Sequence, residues 1–354
     1  MLRTSCLAIS GRGLPLLCGA AVVLIGATTA HAAPMMGPPP APDMQAVLEQ
    51  LKAMGAKPTE TLTPKQARAQ PSPADAVKAL MAKQGIPMPT DVAKRDVAYP
   101  AAAGTQPARI YTPAGTTKNR PLIVYYHGGG WVIADIETYD AGAAGIARQT
   151  GAVVVSCEYR HAPENRFPAA HDDATACYKW ATANAASWGA GGKVGLAGES
   201  AGGNLAIDTA IAARDQGLTK PAALLLVYPV AGSDMDTPSY VDSADAKPLS
   251  KAGMMWFVHY TFKDPAEAKD PRIDVYKSAN LKGLPPTVIV NAAADPLRSD
   301  GTMLAASLKS AGVKVSHREF PGTTHEFFGM DAVVAQAKAA QMYAATELKP
   351  LLPR

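Results

Sequence analysis

A serine flanked by glycines is the first place in this chain where residue types and spacing allow chemistry. Gly198-Glu199-Ser200-Ala201-Gly202 follows an apolar run of strand length and opens a stretch of helical spacing. A G-x-S-x-G in that setting forms a tight strand-to-helix turn with the serine at its apex, where the helix N-terminus favours developing negative charge. About 70 residues earlier stands His127-Gly128-Gly129-Gly130-Trp131, again at a strand end. Consecutive glycines leave backbone N–H groups unshielded, and with the N–H of Ala201 they can hold the oxyanion of a tetrahedral intermediate. A serine hydroxyl is a poor nucleophile at neutral pH, so a histidine must take its proton and a carboxylate must orient that histidine. Three histidines follow Ser200. His259 lies in an aromatic insert and His317 inside a strand, whereas His325 sits in the loop just after that strand and is the best placed. Asp295 is the matching carboxylate, because the run 287–292 ends there and Pro296 stops it. Asp300, five residues on, reads as an acid complementing the dipole of the next helix.

The elements that must position these groups are legible as texture. Apolar runs at 122–126, 152–157, 193–197, 222–228, 287–292 and 313–320 alternate with helical stretches near 139–150, 171–188, 200–215, 298–311 and 331–348. Strands that are apolar throughout imply a sheet with no wet face, so a mostly parallel, doubly wound α/β domain is expected. Before it, 43–56 and 73–85 have helical spacing, separated by the Pro- and Thr-rich stretch 57–64, and extended texture begins near Arg95. The insert 232–285, with Trp256, Phe257 and Tyr260, breaks the alternation and is expected outside the sheet as part of a cap.

Taken together, HGGGW at 127, EYRHAPENRFPAAHDD at 158–173, GESAGGNLA at 198, ADPLRSDG at 294 and HEFF at 325 resemble the bacterial hormone-sensitive-lipase family of α/β-hydrolase esterases, over most of residues 95–350. The resemblance implies the α/β-hydrolase fold with a helical cap, built here from segments near 43–90 and 232–285. It implies Ser200, Asp295 and His325 as the triad and Gly129, Gly130 and Ala201 as oxyanion donors, with Gly128 less certain. It further implies hydrolysis of short- to medium-chain carboxylic esters. Other reactions on the same triad, such as sugar deacetylation, lactone opening or amide hydrolysis, stay open, as does a non-catalytic binding role. No metal or organic cofactor is required. Glu199 stands where the family more often has Asp, and His161 where it more often has Leu; the block 158–173 reads as structural, with no catalytic role for Arg160 or Glu164.

Composition bounds the rest. The 354 residues are 47% hydrophobic and 18% charged, so the chain can bury a large core. The net charge of +4 is small, and no Lys/Arg run offers a track for nucleic acid. Arg3 and Arg12, an apolar stretch at 14–25 and Ala30-His31-Ala32 form a secretory signal with an A-x-A cleavage site. The apolar stretch is shorter than the roughly 20 residues that a bilayer span needs. The expected product is an exported protein without a stable membrane anchor, periplasmic or extracellular, beginning at Ala33, with a flexible Pro/Ala lead-in over 33–42. Cleavage leaves Cys157 and Cys177, whose pairing the sequence leaves open. No Cys/His cluster has metal-ligand spacing. The expected partner is a small-molecule ester; oligomeric state, a homodimer included, is open.

Overall fold

The apolar runs pair side by side into one twisted sheet. In the computed structural model, which describes residues 38–115 and 118–353, its strands are β1 (Val92–Pro100), β2 (Thr105–Pro113), β3 (Arg120–Tyr126), β4 (Val153–Cys157), β5 (Ala190–Glu199), β6 (Ala223–Val227), β7 (Thr287–Ala294) and β8 (Val315–Thr324). Their order is β1-β2-β4-β3-β5-β6-β7-β8. β2 runs antiparallel to both β1 and β4, and the other pairs are parallel. Every residue of β3, β4, β6 and β7 is buried, as continuous apolar strands require.

The period-2 alternation of strand side chains divides the interior into two cores. Leu122, Val124, Tyr126, Leu196 and Leu224 face one side; Ile123, Tyr125, Ala197, Leu225 and Val227 face the other. The helices are α1 (Pro42–Ala53), α2 (Pro64–Ala69), α3 (Pro73–Gln84), α4 (Asp140–Thr150), α5 (Ala169–Asn184), α6 (Ala201–Asp215), α7 (Pro238–Asp242), α8 (Lys251–Thr261), α9 (Val275–Ser278), α10 (Arg298–Ser310) and α11 (Ala335–Leu348). α5, α6 and α10 cover the first core, α4 and α11 the second, so the sheet is doubly wound. Among the described residues no helix is long and apolar enough to cross a membrane.

The N-terminal helices do two jobs. Met44 and Val47 of α1 and Val77 and Met81 of α3 join the second core, while residues from Leu51 to Lys78 line a cavity above the sheet. The proposed signal, Cys6, Cys18 and residues 33–37 of the lead-in fall outside the described residues. The rest of the lead-in is anchored rather than loose: Ala41 N–H donates to the Gly322 carbonyl (2.8 Å) and Pro42 opens α1, where a proline costs no hydrogen bond. α2 has no counterpart among the helical stretches expected from spacing, since its six residues are too short to show a period. Its signal is local, a Thr63/Gln66 capping box with Pro64 at the first turn. The 232–285 insert contributes no strand and carries α7, α8 and α9. Cys157 and Cys177 are joined as a disulfide with Cα atoms 6.5 Å apart, tying the end of β4 to α5.

Candidate active site

Four strand ends bring the chemical residues together on one edge of the sheet. β5 delivers Ser200 at its turn into α6 with φ 57° and ψ −120°, a strained conformation costing about 1–3 kcal/mol. The surroundings hold it there: Ser200 N–H donates to Val227 O (2.9 Å), and Val230 N–H donates to Ser200 O (3.2 Å). The turn is so close to β3 that a Cβ on Gly202 would collide with the Tyr126 carbonyl. β8 delivers His325 and β7 delivers Asp295. His325 Nε2 lies 2.9 Å from Ser200 Oγ, and Nδ1 lies 2.7 Å from Asp295 Oδ2. With a carboxylate facing Nδ1, that nitrogen carries the proton and leaves the Nε2 lone pair to accept from the serine hydroxyl. The other Asp295 oxygen accepts the Leu297 N–H (2.9 Å), which fixes the carboxylate. All three side chains are almost wholly buried, at 5%, 3% and 0% exposure for Ser200, His325 and Asp295.

β3 ends in the glycine loop. The amide N–H groups of Gly129, Gly130 and Ala201 donate to no protein acceptor among the described residues. Gly130 has φ +58°, and a Cβ there would run into the Phe257 ring of α8, so the loop is pressed against the insert. Thr261 Oγ1 donates to Gly130 O (3.2 Å), and Arg68 of α2 donates to Val132 O (2.8 Å) and Ala162 O (2.7 Å). The Gly128 carbonyl is turned back to the Tyr159 hydroxyl (3.0 Å). Ser200, His325, Gly129 and Gly130 open into a cavity of about 710 Å³, whose apolar wall includes Leu249, Met254, Phe257 and Val258.

The sequence profile of the α/β hydrolase fold family matches residues 123–329. The chain belongs to that family, in its hormone-sensitive-lipase-like branch. It is 36% identical over 250 residues to the carboxylesterase NlhH of Mycobacterium tuberculosis, covering 66% of this chain and 75% of that one. It is 30% identical over 238 residues to an ethyl acetate hydrolase of Pseudomonas putida, covering 66% and 74%. Among solved structures, an esterase of Pyrobaculum calidifontis superposes with a TM-score of 0.78 at 33% identity, over 88% of this chain and 99% of that one. A thermostable esterase of Pseudomonas putida ECU1011 superposes with a TM-score of 0.80 at 30% identity, over 90% and 99%.

Behind the triad of this α/β-hydrolase site lie two further buried carboxylates, Glu326 and Glu199. Burial pushes the His325 imidazole toward neutrality, but Asp295, with Glu326 and Glu199 behind it, outweighs burial and lifts its pKa above the ordinary value. Glu326, left-handed at φ 72°, is a residue the sequence did not single out. Its carboxylate accepts the Tyr139 hydroxyl (2.5 Å) and sits 4.0 Å from His325 Nε2; burial raises its pKa. Glu199 accepts the hydroxyls of Tyr125 (2.6 Å) and Tyr228, and burial pushes its pKa up to about 7. Tyr228 in turn packs its ring 4.5 Å from the His325 ring.

The remaining candidates lie apart. His259 is exposed on α8, and His317 is half-buried in β8. Asp300 does more than complement a helix dipole. It is buried and accepts the N–H groups of Ala231 (2.9 Å) and Gly232 (3.0 Å), holding the loop after β6, and burial lifts its pKa to about 7. The 158–173 block is held by a bidentate Arg160–Asp173 pair (2.7 and 3.0 Å), and Glu164 pairs with Arg68 (2.7 Å), away from Ser200.

Proposed function

We propose that the protein is an exported serine carboxylesterase that cleaves short- to medium-chain esters through an acyl-enzyme. The observation that carries this reading is the hydrogen-bonded file Ser200–His325–Asp295 at the floor of an apolar cavity. His325 takes the Ser200 proton at Nε2 as Oγ attacks the ester carbonyl. Asp295 holds the tautomer and stabilises the imidazolium, and the N–H groups of Gly129, Gly130 and Ala201 receive the oxyanion. His325 then gives its proton to the leaving alcohol and activates water for deacylation. Relatives named carboxylesterase and ethyl acetate hydrolase support a small-ester substrate.

Export is supported by the leader pattern in residues 1–32 and by the Cys157–Cys177 disulfide, which persists in oxidising compartments. Mass spectrometry of the secreted protein should give an N-terminus at Ala33; a chain still starting at Met1 would refute cleavage. For the activity, initial rates on p-nitrophenyl esters from acetate to palmitate should peak at short chains. Ser200→Ala should lose at least about a thousandfold in kcat. If wild type is as slow as the variant on every ester, the carboxylesterase reading fails. Labelling of Ser200 by a fluorophosphonate would then indicate a different acyl substrate.

A further inference from the structure

Behind the glycine loop, outside the substrate cavity, the fold brings together three potential ligands that sequence spacing does not group: His127 at the end of β3, and Glu158 and His161 after β4. One ligand atom from each lies within 4.8 Å of the others. His127 Nε2 is 3.0 Å and His161 Nε2 is 3.2 Å from the same oxygen, Glu158 Oε1. A tetrahedral zinc with bonds of about 2.0–2.1 Å spaces its ligands by roughly 3.3 Å, close to the separation of each histidine from the carboxylate.

His127 and Glu158 pair in the absence of a cation, and three features of the cluster also suit it to hold one. First, His127 Nδ1 faces the Gly128 carbonyl at 2.9 Å and Nε2 faces Glu158 Oε1 at 3.0 Å, so with Nδ1 donating to the carbonyl a cation that displaces the Nε2 proton meets a neutral imidazole already aimed at the carboxylate. That is the arrangement of a metal-ligating histidine whose other nitrogen is oriented by a backbone carbonyl. Second, His161 Nε2 is buried yet makes no aligned hydrogen bond, although it approaches Oε1. Third, Glu158 is oriented independently of both rings: its Oε2 accepts the Ile136 N–H (3.3 Å), and Oε1 also accepts the Tyr159 N–H (3.4 Å). The imidazoles meet edge to face, with ring centroids 5.7 Å apart and planes at 88°, so their nitrogens converge from different directions.

We propose that His127, Glu158 and His161 bind a divalent transition cation, with zinc the best match to two imidazoles and one carboxylate, and a water completing the coordination. Glu158 and His161 are partly exposed, so the cluster lies near the surface. None of the three lines the cavity that holds Ser200, so the cation is a tether and takes no part in ester chemistry. It joins the root of the glycine loop to the segment after β4. His161 is the residue that distinguishes this chain, since leucine is more usual there in the family it resembles.

The test is zinc titration of metal-stripped, purified protein by calorimetry and thermal melting, with zinc chloride as the probe. Wild type should bind one equivalent with a dissociation constant on the order of micromolar and gain about 3 °C or more in Tm at hundredfold excess. His161→Leu and His161→Asn should each bind at least about 30-fold more weakly and lose the Tm gain, whereas His259→Ala should behave as wild type. The two His161 variants differ in polarity, so a packing defect in one leaves the other informative. Cobalt(II) should give wild type the visible absorption of a low-coordinate site, and that band should vanish in both variants. No binding by wild type, or equal binding by wild type and both His161 variants, as would follow from zinc captured at His325 and Asp295, overturns the proposal. The ester-hydrolase reading survives either result.

Discussion

At the scale of single residues, the site is a balance between burial and a carboxylate. Burial alone would lower the His325 pKa; Asp295 reverses it, so the imidazole titrates above about 6.5. His325 must be neutral to accept the Ser200 proton, so kcat/KM should rise with pH through that raised pKa and level off above it. Asp295→Asn removes the charge that opposes burial. It should move the acid limb to lower pH and lower kcat by roughly 10³–10⁴-fold, because the tautomer is no longer held. A pH–rate profile of the variant with its limb unmoved would show that Asp295 does not set the titration. The glycine loop makes a separate prediction. Gly130→Ala puts a Cβ into the Phe257 ring at a positive φ, so it should displace the N–H groups and cost kcat of the order of 10²-fold or more. Steady-state kinetics that show a loss in KM alone would argue that the loop only binds substrate. Ser200, Asp295 and His325 were legible because each follows a strand end in an order that one fold uses. Glu326 and the buried role of Asp300 were not, because nothing in their sequence neighbourhood reveals that a chain segment far away encloses them.

At the scale of elements, legibility followed burial of the strand. β3, β4, β6 and β7 are covered on both faces, so their apolar runs marked them almost to the residue. β8 reaches four residues further than its apolar run, to Thr324, because Pro321, Gly322, Thr323 and Thr324 carry no apolar signal although Thr324 still pairs with Ala294 of β7. β5 begins earlier than its apolar run: Ala190 pairs with Arg120, then Gly191 and Gly192 fall in a register irregularity before Val194 pairs with Leu122, and glycines offer no hydrophobic signal. The cysteine pairing was not legible either. Cys157 ends β4 and Cys177 lies twenty residues on in α5, and only the crossing of that helix over the sheet sets their Cα atoms 6.5 Å apart. Closing a loop of that length stabilises by about 3 kcal/mol in the chain-entropy picture. Cys157→Ser/Cys177→Ser should therefore lower unfolding stability by about 2–4 kcal/mol in denaturant titration while leaving kcat/KM on a short ester within about threefold, since neither cysteine lines the cavity. A variant as stable as wild type would mean that the bond contributes nothing in solution.

At the scale of the whole molecule, stability carries a pH dependence written by acids that the fold encloses. Asp208 on α6 is the clearest case, because it is 6% exposed and does not belong to the site. Burial pushes its pKa up to about 7, with Arg272 opposing and Asp270 and Asp172 adding to the rise. An aspartate in the unfolded chain releases its proton near 3.8, so between about pH 4 and pH 7 the folded state holds a proton that the unfolded state has lost. Stability contributed by Asp208 is therefore intact below pH 4, declines as pH rises through this window, and stays lost above about pH 7. Asp300 and Glu199, also lifted to about 7, act in the same direction. The three acids together should make the protein less stable at pH 8 than at pH 5, their contribution changing between about pH 4 and pH 7. Asp208→Asn keeps the shape and removes the charge. It should match wild type near pH 4 and exceed it at pH 8 by a margin of the order of 2–4 kcal/mol, since one pKa unit is worth about 1.4 kcal/mol. Denaturant unfolding of both proteins across pH 4–8.5 reads this directly. Parallel curves for wild type and variant would show that Asp208 stays ionised in the fold, held by Arg272 more strongly than burial opposes it.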